Sequence, residues 1–159
     1  MTYLIKNPSP KNVNMIYCHS NIAEWLPGNG TFVYPLNVMQ KSNTSNVSIN
    51  TSTYEINLQN KRYLCIFKLY GGMQGSSGVV RCKMLLNNLS IENISSYNDN
   101  VAIASGQTGL DYTVAEFIAN QNDKLKIQLI CSGATSNVFY GIGGGFVGVT
   151  ILYILEYDI

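Results

Sequence analysis

A chain of 159 residues, 46% of them hydrophobic and only 12% charged, is the size of one domain with one core and disfavours a two-domain reading. An ordinary soluble protein is roughly 25% charged, so here Asn, Ser, Thr, Gln and Gly supply the polar surface, and a net charge of +1 puts little repulsion between copies packed side by side. The ten basic residues are scattered, which argues against nucleic acid as a partner, and no apolar run is long enough for membrane insertion.

From the N-terminus, MTYLIKNPSPK breaks at Lys6 and Pro8 before a signal-peptide core can form, so no export address is visible. Residues 1–30 contain Pro8, Pro10, Pro27, Gly28, Gly30 and the single Trp25. They read either as an N-terminal arm that attaches a body spanning residues 31–159, or as an irregular strand packed on that body with Trp25 as a core plug. Short runs rich in Val, Ile, Tyr, Phe and Leu, cut by Gly, Asn, Ser and Asp, predict strands near Asn14–Cys18, Phe32–Val38, Val47–Asn50, Tyr54–Leu58 and Arg62–Tyr70. The series continues near Val79–Leu86, Val101–Ser105, Tyr112–Ile118, Lys124–Cys131 and Val147–Tyr157. YTVAEFIANQ (Tyr112–Gln121) reads as a strand rather than a helix, because Val114, Glu116 and Ile118 alternate with Thr113, Ala115 and Phe117. Many short strands without crossover helices imply an all-β chain of antiparallel sheets.

Alternation within the strands separates two kinds of surface, since side chains point to opposite faces with a period of two. Tyr54, Ile56 and Leu58 alternate with Glu55, Asn57 and Gln59, and Leu125, Ile127 and Leu129 alternate with Lys124, Lys126 and Gln128, giving one dry and one wet face. RYLCIFKLY differs: Tyr63, Cys65, Phe67 and Leu69 lie on one side and Leu64, Ile66 and Tyr70 on the other, with Lys68 the charge inside the run. In the last strand Val147, Val149, Ile151, Tyr153 and Leu155 oppose Leu152 and Ile154. A sandwich buries one side of each sheet, so a strand apolar on both sides needs further cover, which a sister subunit supplies economically.

The chemical motifs resolve to bland readings. Gly143-Gly144-Gly145-Phe146-Val147-Gly148 fits a dinucleotide-loop string but leads into a strand, not the helix that would hold a pyrophosphate. The one histidine, His19, has no partner placed for it by the sequence and reads as a polar residue at a strand end. Cys18, Cys65, Cys82 and Cys131 are too far apart for a zinc set and read as small core hydrophobes, and the turn around Asp99 offers calcium a single carboxylate. No pair of acids is certified for sugar cleavage. Asn-x-Ser/Thr triplets at Asn29, Asn43, Asn46, Asn50, Asn88 and Asn93 follow from composition. No cofactor, metal or catalytic residue is therefore expected.

The succession TYEINLQNKRYLCIFKLYGG, VVRCKMLLNNLSIE, VAEFIANQNDKLKIQL and GGGFVGVTILYIL resembles the strand order of the tumour-necrosis-factor/C1q-like jelly rolls, including trimeric heads of viral fibres and of bacterial collagen-like filaments. The likeness spans roughly Thr31 to Leu155. Asn60-Lys61-Arg62 stands where that family often has a glycine before Tyr63, Asn88 replaces a hairpin glycine, and Asn122 precedes Asp123 in place of another. Asn tolerates the left-handed backbone that glycine supplies, so no strand is displaced. The resemblance implies a two-sheet jelly-roll sandwich whose inner sheet surrounds a threefold axis. Tyr63, Phe67, Tyr70, Phe146, Leu152, Tyr153 and Ile154 are then candidates for core or subunit contact.

The resulting expectation is a non-enzymatic virion protein: the head of a capsid fibre, or a decoration or tail-tip subunit, assembled in the host cytoplasm. It would join other virion proteins through its N-terminal segment. Host glycan or receptor contact would use the loops at Gly71–Gly78, Ala104–Asp111 and Ser132–Gly145, with Phe139 and Tyr140 as exposed aromatics. The alternatives are a bacterial surface-filament tip or lectin-like module, and a carbohydrate-active enzyme on the same scaffold.

Overall fold

A computed structural model describes residues 13–21, 24–26, 30–42, 44–73, 78–91, 94–97, 101–103, 108–132, 138–140 and 150–159. These form fifteen strands and no helix. In chain order they are β1 (Val13–His19), β2 (Glu24–Leu26), β3 (Gly30–Val33), β4 (Val38–Lys41), β5 (Ser48–Asn50), β6 (Glu55–Asn57), β7 (Lys61–Met73) and β8 (Gly78–Leu86). There follow β9 (Leu89–Ser90), β10 (Ile94–Tyr97), β11 (Val101–Ile103), β12 (Thr108–Ala119), β13 (Lys124–Ser132), β14 (Val138–Tyr140) and β15 (Ile151–Tyr157). One sheet runs β10-β12-β7-β15-β1-β4, with β14 and β2 alongside; the other runs β11-β8-β13-β6-β5, with β3 on β13 and β9 on β8. Every pairing is antiparallel. The architecture is the expected jelly-roll sandwich.

The period-two pattern decides which side chains meet between the sheets. From the first sheet come Tyr63, Cys65, Phe67 and Leu69 of β7, Leu152 and Ile154 of β15, and Ile16 and Cys18 of β1. The second contributes Leu125, Ile127 and Leu129 of β13, Cys82 and Met84 of β8, and Ile56 of β6. Each fully buried large side chain stabilises the fold by about 1.5–3 kcal/mol relative to exposure. Cys18, Cys65 and Cys82 are buried free thiols. Burial pushes the Cys18 thiol up to about 12 and raises that of Cys65 as well, so both stay protonated and serve as packing atoms.

Three differences from the sequence reading have local causes. The single strand expected over Phe32–Val38 is two, because Pro35 has no N–H for a ladder and the chain crosses there from β3 in one sheet to β4 in the other. The crossing is buried: Tyr34 and Leu36 are fully covered, the Tyr34 amide donates to the Ile127 carbonyl (2.8 Å), and the Tyr34 ring meets Phe67 edge-on at 5.4 Å. The last strand is described from Ile151 onward, and Val147, Val149 and Phe146 lie outside the described residues. β14 supplies the remainder of that ladder: Tyr140 faces Gly71 and Ile151 faces Lys68 along the same side of β7. Within residues 1–30, Val13–His19 form β1, an interior strand between β15 and β4.

A buried carboxylate ties these elements at one end. The Glu156 side chain on β15 is completely covered and accepts from Asn14 Nδ2 (2.7 Å), Tyr63 Oη (3.2 Å), Ser45 Oγ (3.3 Å) and Lys61 Nζ (3.4 Å). Asn14 Oδ1 accepts in turn from Ser42 Oγ at 2.9 Å. The Asp158 carboxylate, 3.0 Å from Lys61 Nζ, and then Glu156 hold the Lys61 ammonium above its ordinary range. Burial chiefly, with the Glu156 charge nearby, raises the Tyr63 phenol.

Candidate assembly face

The outer side of the first sheet is built row by row from register. Tyr112, Lys68, Ile151 and His19 form one row across β12, β7, β15 and β1, and Val114, Ile66, Tyr153 and Tyr17 form the next. Glu116, Leu64, Leu155 and Met15 follow, then Ile118, Arg62, Tyr157 and Val13. These positions alternate with the core residues on every strand, so the pattern that fills the interior also sets this face.

Its chemistry departs from an ordinary wet face. Among the described residues seven large hydrophobics are exposed, and five of them, Val13 (44%), Met15 (46%), Tyr112 (38%), Ile118 (61%) and Tyr153 (36%), share this surface. Leu64, Ile66, Ile151 and Leu155 beside them are half-buried. The Tyr17 and Tyr153 rings meet edge-on with centroids 5.5 Å apart, and the Tyr17 hydroxyl points to the Met15 sulfur. Arg62 and Glu116 pair with each other on the face, and Lys68 stands between Tyr112 and Ile151. The second sheet's outer side is the hydrated one: Lys124 and Lys126 lie 3.5 and 3.8 Å from the Glu55 carboxylate.

The residues singled out from the sequence separate accordingly. Tyr63, Phe67, Leu152 and Ile154 are fully buried between the sheets, whereas Tyr153 points outward. Tyr70 occupies β7 opposite Leu110, and Phe146 lies outside the described residues. The expectation that β7 is apolar on both sides holds for its residues, but within one chain the second side is only half covered. Sequence reasoning overlooked Val13, Met15 and Tyr17, because the first thirty residues were read as a unit of their own. The alternation Val13, Met15, Tyr17 against Asn14, Ile16, Cys18 carried the signal. Tyr112 and Ile118 were assigned to a strand without a face. His19 ends β1, with Nδ1 3.3 Å from the Ser20 carbonyl oxygen.

The loops proposed for binding converge at one end. Met73 and Gly78, Ile103 and Thr108, and Ser132 and Val138 bound connections that leave the same end of the sandwich, as the pairs Thr108 with Gly72, Ile103 with Gly78 and Ser132 with Val79 require. Phe139 and Tyr140 are not in a loop. They lie in β14, where Phe139 pairs with Gly72 and Trp25, and Tyr140 with Gly71 and Glu24. Val138-Phe139-Tyr140 is a β-favouring triplet between two neighbouring strands, and ladder pairing on both edges takes it out of the loop. The described chain ends, Val13 and Tyr157, pair at the opposite end.

No family model and no curated protein sequence matches the chain. Among solved structures, murine APRIL at pH 8.5 superposes with a TM-score of 0.55 at 7% identity over 91% of this chain and 99% of that one. The Eiger TNF of S. frugiperda does so with a TM-score of 0.50 at 9% identity, covering 91% and 93%. At such identities only architecture is shared, and the chain is thereby shown to have the tumour-necrosis-factor-like jelly-roll fold.

Proposed function

We propose that this chain is a non-catalytic structural subunit that self-assembles as a homotrimer through the outer face of its first sheet and forms a virion head, decoration or tail-tip protein. One observation carries the assembly: the exposed large hydrophobics gather on a single sheet face instead of scattering. Buried against a neighbour, such area is stabilising at roughly 25 cal/mol per Å², and a net charge of +1 opposes the approach of copies very little. The number three comes from the jelly-roll resemblance. In this reading the N-terminal segment joins other virion proteins, because Val13 leaves one end of the sandwich, and the glycine-rich connections at the other end contact the host surface.

Sedimentation at micromolar concentration tests the assembly. The expected species has three times the 17.5 kDa chain mass; a monomer alone would remove the trimer. Mass spectrometry of purified particles tests the location, and failure to find the chain there would remove the virion role.

A further inference from the structure

A patch that meets its own copy about a twofold axis closes a dimer; a ring of three requires each copy to offer two different patches. The outer face has two dissimilar halves. The β12–β7 half carries every charge of the four rows, Arg62, Glu116 and Lys68, while the β15–β1 half offers Tyr153, Tyr17 and Met15 and no carboxylate, lysine or arginine. We propose that the charged half of one copy docks on the tyrosine half of the next, head to tail, so that each copy uses both. This rests on the trimer reading and specifies its contact.

Electrostatics selects this pairing. Like-with-like contact of the charged halves would bring Lys68 and Arg62 toward their own counterparts in a drying interface, where charge repulsion grows. Against the tyrosine half the Lys68 ammonium meets aromatic faces, which attract cations. Arg62 and Glu116 arrive already neutralised by each other. Exposure agrees as well: each half retains large hydrophobics that its own chain leaves open, Tyr112 and Ile118 on one, Val13, Met15 and Tyr153 on the other.

The test uses one blocking substitution per half, Ile118→Asp and Met15→Asp. Both side chains are exposed in the single chain, at 61% and 46%, so folding is expected to survive, as an unchanged far-UV circular dichroism spectrum would verify. Each variant alone should lose the trimer and run as monomer in native mass spectrometry. An equimolar mixture should yield a heterodimer of twice the chain mass, because the intact half of one variant fits the intact half of the other and the ring cannot close. A mixture that stays monomeric while the wild type is trimeric overturns the head-to-tail contact, and so does a single variant that still trimerises. A wild type that is itself monomeric defeats the trimer reading instead.

Discussion

Three asparagines hold backbone conformations that side chains rarely adopt: Asn87 (φ 50°) and Asn88 (φ 69°) turn β8 into β9, and Asn122 (φ 70°) turns β12 into β13. Asn88 and Asn122 stand where the resembling family has glycine, and their left-handed backbones show why the exchange leaves the strands in place. Asn88→Gly is expected to leave stability nearly unchanged, whereas Asn88→Ala, lacking the local polar compensation, should cost about 1 kcal/mol in chemical denaturation. Asn87 adds a second role, donating to Asp123 Oδ1 (2.8 Å) and accepting from the Lys124 amide (3.0 Å). The Asn87 side chain first, then the Asn120 amide, holds the Asp123 carboxyl below its ordinary range. A carboxyl lowered in the folded state stabilises above its unfolded pKa of about 4, and the contribution fades as pH falls through the lower folded value. Wild-type stability should therefore decline more steeply below about pH 4 than that of Asp123→Asn; equal slopes in urea titrations at successive pH values would contradict this.

At the scale of strands, alternation made most of the sandwich legible. β6, β7, β8, β12 and β13 lie where their period-two patterns put them, because a one-residue slip would turn every apolar side chain to the wrong face. The short strands escaped notice: Glu24–Leu26, Leu89–Ser90, Ile94–Tyr97 and Val138–Tyr140 have only two to four residues and are held by the strands beside them, not by a pattern of their own. The assembly face was half legible for the same reason, since β7 and β15 announced a second apolar side while β1 and β12 acquire theirs through register with them. Glu156 in β15 was invisible as a hub because its partners Asn14, Ser45 and Tyr63 come from distant segments. Glu156→Ala would strand those donors in the interior, and a loss of about 3 kcal/mol or more in the unfolding free energy is expected. A loss below about 1 kcal/mol, within the range of a solvated pair, would show that the hub is not sealed.

For the whole molecule, the balance of contacts on the outer sheet fixes how assembly should respond to solvent. Apolar burial is strengthened or unaffected by added salt, whereas contact between exposed charges is screened over about 3 Å at 1 M. The trimer mass should persist from about 0.1 M to 1 M salt, and Tyr153→Asp, which places a carboxylate in the middle of that sheet, should abolish it at either concentration. Dissociation of the wild type at high salt would mean that ion pairs, not apolar contact, hold the copies together.

The position of β1 also governs mechanical strength. It is locked by seven pairs to β15 and four to β4, with Val13 at the end from which an N-terminal tether would pull. Tension along such a tether runs parallel to the strand, so the rungs must slide together rather than open singly like a zipper. In single-molecule pulling, a head gripped at its N-terminus and at the 74–77 connection should yield at a higher force than one pulled across the sheet, which is what survival on a surface exposed to flow demands.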